Sequence, residues 1–232
     1  MAYIGKVPSA VPITSADLAD SIVTSAKIAD GTIALADLSA TGTASASTFL
    51  RGDNAWGAVS SDVVKLATVT NTTSFADVSI DGYFSATYDY YELVVLDFYS
   101  SSSGNCFVHF NIGGTKSTSS VYDSACMGIY GSSSTTATTN NYTYINATGV
   151  PSRNDISGNS DFPKVNDFVL RIYNPLSTSA YKAFDWSLIT NTGSLVGLHT
   201  VRGIYKNTSA VSGVTVSGNG GVKGTFKLYG YK

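Results

Sequence analysis

The stretch YYELVVLDF, residues 90–98, is a run of aromatic and branched apolar residues, and a serine- and glycine-rich segment separates it from a second such run, CFVHFNI, residues 106–112. Apolar runs of four to eight residues bounded by turn formers read as strands rather than helices. Working outward, the pattern recurs in KLATV (65–69), SFADVSI (74–80), FVLRIY (168–173), YKAFDWSLI (181–189), LVGLHTV (195–201), VSGVTV (211–216) and GTFKLYGY (224–231). SGNGG, residues 217–221, reads as the loose turn of a hairpin joining the last two. The polar stretches 100–105, 131–141 and 152–161 read as loops, where recognition residues tend to sit. With no helical pattern between the runs, an all-β fold is expected: a C-terminal antiparallel β-sandwich, jelly-roll-like, over residues 62–232.

Composition points the same way. Glu92 is the chain's one glutamate and there is no glutamine, whereas Tyr, Phe, Val, Thr, Ser, Gly and Asn are plentiful. Straight-chain helix formers are scarce and strand formers abundant. Only 13% of the 232 residues are charged and the formal net charge is -2, so no basic field exists to hold a nucleic-acid backbone. Nucleic acid is therefore not an expected partner. Residues 1–9 lack a long apolar core and no stretch of about 18 apolar residues occurs, so neither a secretion signal nor a membrane span is expected.

The first 60 residues differ in character from the rest, with 13 alanines and only three aromatics, Tyr3, Phe49 and Trp56. Inside them lie ITSADLADSI, VTSAKIADGT and IALADLSATG, beginning at Ile13, Val23 and Ile33 with a period of ten and no gaps. Position one is β-branched and apolar, position four is Ala16, Ala26 or Ala36, and position six is Leu18, Ile28 or Leu38. Such a series is a repeat rather than chance. Ten fits neither a heptad nor an eleven-residue coiled-coil period. Thr14 with Asp17 resembles a helix-start capping pair, so a single helical turn followed by a short extended piece is expected in each unit.

Ordering ten residues costs on the order of 10 kcal/mol or more in backbone entropy, whereas burying two aliphatic side chains returns only about 3 to 6 kcal/mol. A lone chain cannot cover that deficit. Parallel chains in register can, by bringing Ile13, Leu18, Val23, Ile28, Ile33 and Leu38 onto a shared axis. The expected organisation is a terminal segment at 1–12, a repeat stalk with little helix at 13–40, a linker tightening into a collar at 41–61, and the β head at 62–232. A disordered linker is the alternative for the Ala- and Ser-rich repeats.

The chemistry-bearing motifs of hydrolases, nucleotide binders and zinc sites are missing from the sequence: there is no HExxH, GxSxG, Walker A loop or CxxC pair. His109 and His199, the two histidines, read as structural or surface residues. Glu92 and Asp97 would point to opposite faces of a regular strand and so form no same-face carboxylate pair. Asp155, Ser157, Asn159 and Asp161 alternate as hard oxygen donors, but without a later bidentate glutamate they read as a polar turn and no metal is expected. Cys106 and Cys126 read as buried reduced thiols, a disulfide being the other possibility. For ligand contact, Tyr142 and Tyr144 project from one side of NYTYIN, residues 141–146, beside polar loops, with Arg153 and Asp155 close in sequence; core packing is the other fate open to these rings.

Three segments carry a family resemblance. TASASTFLRGDNAW (43–56) resembles the small-residue linker, TFLRGD and Trp found in bacteriophage tail fibres; RIYNPLSTSAYK (171–182) resembles a strand and turn of their heads; and residues 209–232, ending on GTFKLYGYK, resemble a common fibre terminus. MAYIGKVP (1–8) and TSAKIADGTI (24–33) are similar to segments in fibres of phages of marine bacteria. The resemblance implies a homotrimer located in the virion tail. Its N-terminus would dock on other phage tail proteins and its head would contact a host cell-surface molecule such as a glycan. From the missing motifs, no enzyme and no cofactor are expected. A purely structural tail component and a glycan hydrolase are the alternatives.

Overall fold

The backbone N–H and the hydroxyl of Thr14 both donate to the Asp17 carboxylate, at 2.8 and 2.7 Å. They brace a single 3-10 turn at Ser15–Asp17. Equivalent turns follow at Ser25–Lys27 and Leu35–Asp37, ten residues apart each time. In the third, Ala34 N–H donates to Asp37 at 2.8 Å. After the turn the chain extends through Leu18 and Ile28, then bends through a tight turn closed by Ile22 N–H to Ala19 C=O and by Thr32 N–H to Ala29 C=O. Ser21 and Gly31, at position nine of successive units, carry that bend with positive φ of 64° and 76°. The repeat is thus a turn, an extended residue and a second turn, with no α-helix, in keeping with the capping pattern read from Thr14 and Asp17.

The computed structural model describes residues 14–59, 61–100, 106–130, 132–146, 167–191, 196–218 and 221–232. Ile13, the segment 1–12, and the polar stretch 152–161 with Arg153 and Asp155 lie outside the described residues. The chain divides into two compact units, Met1–Ser60 and Ser61–Lys232. In the first, strands β1 (Thr48–Leu50) and β2 (Trp56–Ala58) form a small antiparallel hairpin. Asn54, with φ of 59°, turns the connection, and Arg51 N–H reaches Ala55 C=O at 2.9 Å.

The second unit is an antiparallel two-sheet sandwich. The larger sheet has eight strands, in the order β3 (Val63–Ala76), β15 (Val222–Tyr231), β5 (Tyr90–Ser100), β11 (Asp167–Tyr173), β12 (Lys182–Asn191), β13 (Val196–Tyr205), β8 (Tyr122–Tyr130) and β9 (Ser133–Tyr142). The smaller runs β10 (Ile145–Asn146), β6 (Cys106–Ile112), β14 (Gly213–Gly218) and β4 (Val78–Asp81), with β7 (Thr115–Lys116) beside β6. From β4 to β5, to β6, and on to β8 the chain changes sheet each time, a jelly-roll-like path, while β11, β12 and β13 form a meander.

Alternation along the strands builds the core. Tyr91, Leu93 and Val95 on β5, Phe168, Leu170 and Ile172 on β11, and Phe184, Trp186 and Leu188 on β12 are buried. They join one cluster with Val108 and Phe110 of β6 and Val214 and Val216 of β14. Each such side chain contributes about 1.5 to 3 kcal/mol by leaving water. At Asp97, φ of 52° and a register shift against β15 mark a bulge, after which Phe98 instead of residue 97 turns inward. Strict alternation along this strand, which put Glu92 and Asp97 on opposite faces, therefore ends at Asp97.

Two expectations are corrected. Within the stretch 131–141, whose first residue lies outside the described residues, the chain from Ser133 on is not a loop, because Ser133–Tyr142 is an edge strand paired with β8. Its β-branched threonines suit extended backbone although nothing in it alternates in polarity. The hairpin expected across SGNGG does not form either, because β14 and β15 lie in different sheets and do not pair.

Candidate functional site

In the repeats the described aliphatic residues of positions one and six lie in water. Val23 and Ile33 are 55% and 56% exposed, and Leu18, Ile28 and Leu38 are exposed as well. A single chain leaves all five exposed, and no residue of the 3-10 turns or extended pieces is buried among the described residues of 14–39.

Tyr142 and Tyr144 come together as read from the sequence, edge to face with ring centroids 5.9 Å apart. Tyr142 is exposed and Tyr144 half-buried, because the Tyr144 ring packs on Phe107 at 4.4 Å and meets His109 at 5.8 Å. The cluster therefore belongs to the outer face of β6, opposite Val108 and Phe110. His109 is buried, with Nδ1 at 3.2 and 3.1 Å from the carbonyls of Ser117 and Thr143. Burial holds its pKa below the ordinary histidine value. A neutral imidazole donating from Nδ1 to backbone carbonyls is a brace rather than a proton shuttle.

Beside it runs a polar network that the sequence did not announce. Asn111 Nδ2 donates to Ser79 Oγ and Asp81 Oδ1, both at 3.0 Å, Thr215 Oγ1 donates to Asn111 Oδ1 at 2.7 Å, and Ser212 Oγ donates to Asp81 at 2.9 Å. These residues sit on β4, β6 and β14 and the segment leading into β14, distant in sequence and adjacent only through pairing. Alternating polar positions in VSID, CFVHFNI and VSGVTV are the signal from which this face could have been found.

The outer face of the large sheet is ordered in rows. One row holds Tyr231, Tyr90 and Tyr173, with Tyr231 and Tyr90 stacked at 4.4 Å. The next holds Glu92, Arg171, Asp185 and Arg202 on four adjacent strands, alternating in charge. Arg171 Nε donates to Glu92 at 2.8 Å and its Nη1 to Asp185 at 3.4 Å, while the hydroxyls of Tyr231 and Tyr173 donate to the same two carboxylates at 3.1 and 2.6 Å. Burial and the bond to Asp185 push Tyr173 up to about 12. Glu92 thus does have a same-face carboxylate companion, but Arg171 stands between the two, which is the geometry of a charge ladder and not of an acid and base flanking a bond. Beyond that row the face turns apolar, with Val94, Val169 and Met127, then Leu96, Ile189, Leu198 and Ile129.

Among the described residues no group of three or more His, Cys, Asp or Glu is placed to hold a metal ion. Cys106 and Cys126 are buried on different sheets and not joined in a disulfide, and burial raises both thiols above their ordinary pKa.

Fold and surface together define an all-β, two-sheet unit in a chain that also carries a series of turn repeats. No protein-family model, curated protein or solved structure matches this chain.

Proposed function

We propose that this chain is a non-enzymatic bacteriophage tail fibre, a homotrimer that attaches to other tail proteins by its N-terminal segment and binds a host cell-surface molecule with its β head. The observation that carries the reading is the aliphatic series at ten-residue spacing, exposed to water in the single chain. Identical parallel copies in register cover it at every level at once. The resemblance of the linker, the 171–182 segment and the last 24 residues supplies the number three and the virion.

For the receptor, the support is the aromatic cluster of Phe107, Tyr144 and Tyr142, next in sequence to the polar Asn141 and Thr143, a mixture that suits a glycan. Several such sites per particle would act together, so each can be weak. Fluorescently labelled full-length protein should bind susceptible cells and not receptor-deficient ones, and Tyr142→Ala should weaken binding by roughly tenfold while leaving the fold intact. Equal staining of both cell types would contradict the reading. Release of new reducing ends from host polysaccharide would replace it with a hydrolase.

A further inference from the structure

The charges around the Tyr142, Tyr144 and Phe107 cluster cancel in pairs. Beside Tyr142, Lys206 Nζ lies 2.8 Å from Asp123 Oδ2 and donates to Asn141 Oδ1 at 2.7 Å, one residue before the exposed ring. Asn141 N–H donates to the same Asp123 at 2.7 Å. The bond from Lys206 holds the Asp123 carboxyl below the ordinary carboxylate range, so the pair stays ionised. Toward Tyr144, Lys116 precedes Ser117, whose carbonyl braces His109, and Lys116 Nζ reaches Asp77 Oδ2 at 2.7 Å. His109, with its ring centroid 5.8 Å from that of Tyr144, is kept neutral by burial. Asp81 stands in the row next to His109, bonded to Asn111 and Ser212 and to no cation among the described residues.

Those charges decide what the rings can hold. A sugar carboxylate, sulfate or phosphate seated there meets two lysines that are already bonded to carboxylates. To reach either, it must displace Asp123 or Asp77, which exchanges one ion pair for another while the anion gives up its own water. Asp81 repels it as well. An uncharged pyranose meets none of these costs. Its C–H face packs on the aromatic rings and its hydroxyls bond to neighbouring polar groups. Asn141 offers one of these, because its Oδ1 is taken by Lys206 and its Nδ2 is left to donate. We propose that the cluster takes an uncharged sugar ring, and that Asp123 and Asp77, by closing off Lys206 and Lys116, are the specificity-determining residues that exclude acidic sugars. The inference rests on the receptor reading above and narrows it from glycans in general to neutral ones.

The test uses surface polysaccharide of susceptible cells, split by anion exchange into an unretained neutral fraction and a retained acidic one. Each fraction competes with those cells for labelled full-length protein, at about 0.05 and about 0.5 M NaCl. The neutral fraction should compete and the acidic one should not at equal mass, and cell binding should differ by less than about twofold between the two salts. Asp77→Asn/Asp123→Asn keeps the side-chain shapes and frees both lysines, and the pairs are exposed enough that their loss costs little stability. Against this variant the acidic fraction should compete at least about fivefold better than against wild type. Competition by the acidic fraction for wild type, with binding falling about tenfold in high salt, overturns the inference; if Tyr142→Ala still weakens binding, the receptor reading stands. A double variant that ignores the acidic fraction as wild type does also overturns the inference. Wild-type binding by Tyr142→Ala overturns both.

Discussion

Arg171 and Glu92 face each other across the central strands β11 and β5, with Nε and Oε2 2.8 Å apart and the glutamate side chain 14% exposed. The guanidinium also reaches Asp185, so one cation neutralises two largely buried carboxylates. Removing it leaves both uncompensated. Arg171 itself is 41% exposed, which tempers the effect through solvent screening. Arg171→Ala is expected to cost about 2 kcal/mol. Arg171→Ala/Glu92→Gln should recover part of that loss. Urea midpoints of the three proteins check this, and an unchanged midpoint for Arg171→Ala would show that the ladder is ornamental.

Gly128 on β8 gives the His199 ring its room, since a Cβ at residue 128 would collide with Nδ1 and Cε1 of that ring. Gly128→Ala should therefore destabilise the head by about 2 kcal/mol through overpacking. His199→Ala empties the same space, so the double variant should be more stable than the sum of the two losses by about 1 kcal/mol or more. Additive losses would mean that the ring simply swings away.

The two histidines set an acid limit. Burial lowers the pKa of both His109 and His199 below the unfolded value near 6.5. The unfolded chain then takes up protons first, so their contribution is fully present above about pH 6.5 and is lost as pH falls toward the folded values. His199 Nδ1 has no hydrogen-bond partner among the described residues. His199→Leu should keep the neutral-pH stability within about 1 kcal/mol and flatten its decline below about pH 6.5. Denaturant midpoints across that range decide.

Strand runs such as YYELVVLDF and FVLRIY were legible because buried β strands concentrate apolar residues at alternate positions, and the ten-residue turn was legible from Thr14 and Asp17. β9 was not, because threonines with no polarity pattern carry strand propensity and loop composition at once. The fate of SGNGG was hidden for a different reason. Glycines license a sharp turn but do not say whether the next strand pairs with the last or crosses to the other layer. Of the residues proposed for receptor contact, Tyr142 and Tyr144 meet as their i, i+2 spacing implied, whereas the charge ladder needed the pairing of strands some 80 residues apart, which no local pattern reveals.

Position nine of the repeat makes a separate prediction. Ser21 occupies the left-handed conformation that Gly31 occupies without penalty, and a Cβ at Gly31 would meet nothing. Backbone strain alone therefore governs both sites. Ser21→Gly should stabilise the repeat unit and Gly31→Ala destabilise it, each by about 1 kcal/mol per chain. The dissociation midpoint of the assembly in urea is the measurement, and shifts of the same sign for both would refute the turn geometry.

The account depends most on the exposed aliphatic series in the repeats, and native mass of the full-length protein at micromolar concentration tests it most directly. It predicts a species of three 24.2 kDa chains that falls to one chain in Val23→Asp/Ile28→Asp. A wild-type protein that stays a single chain under those conditions would contradict it.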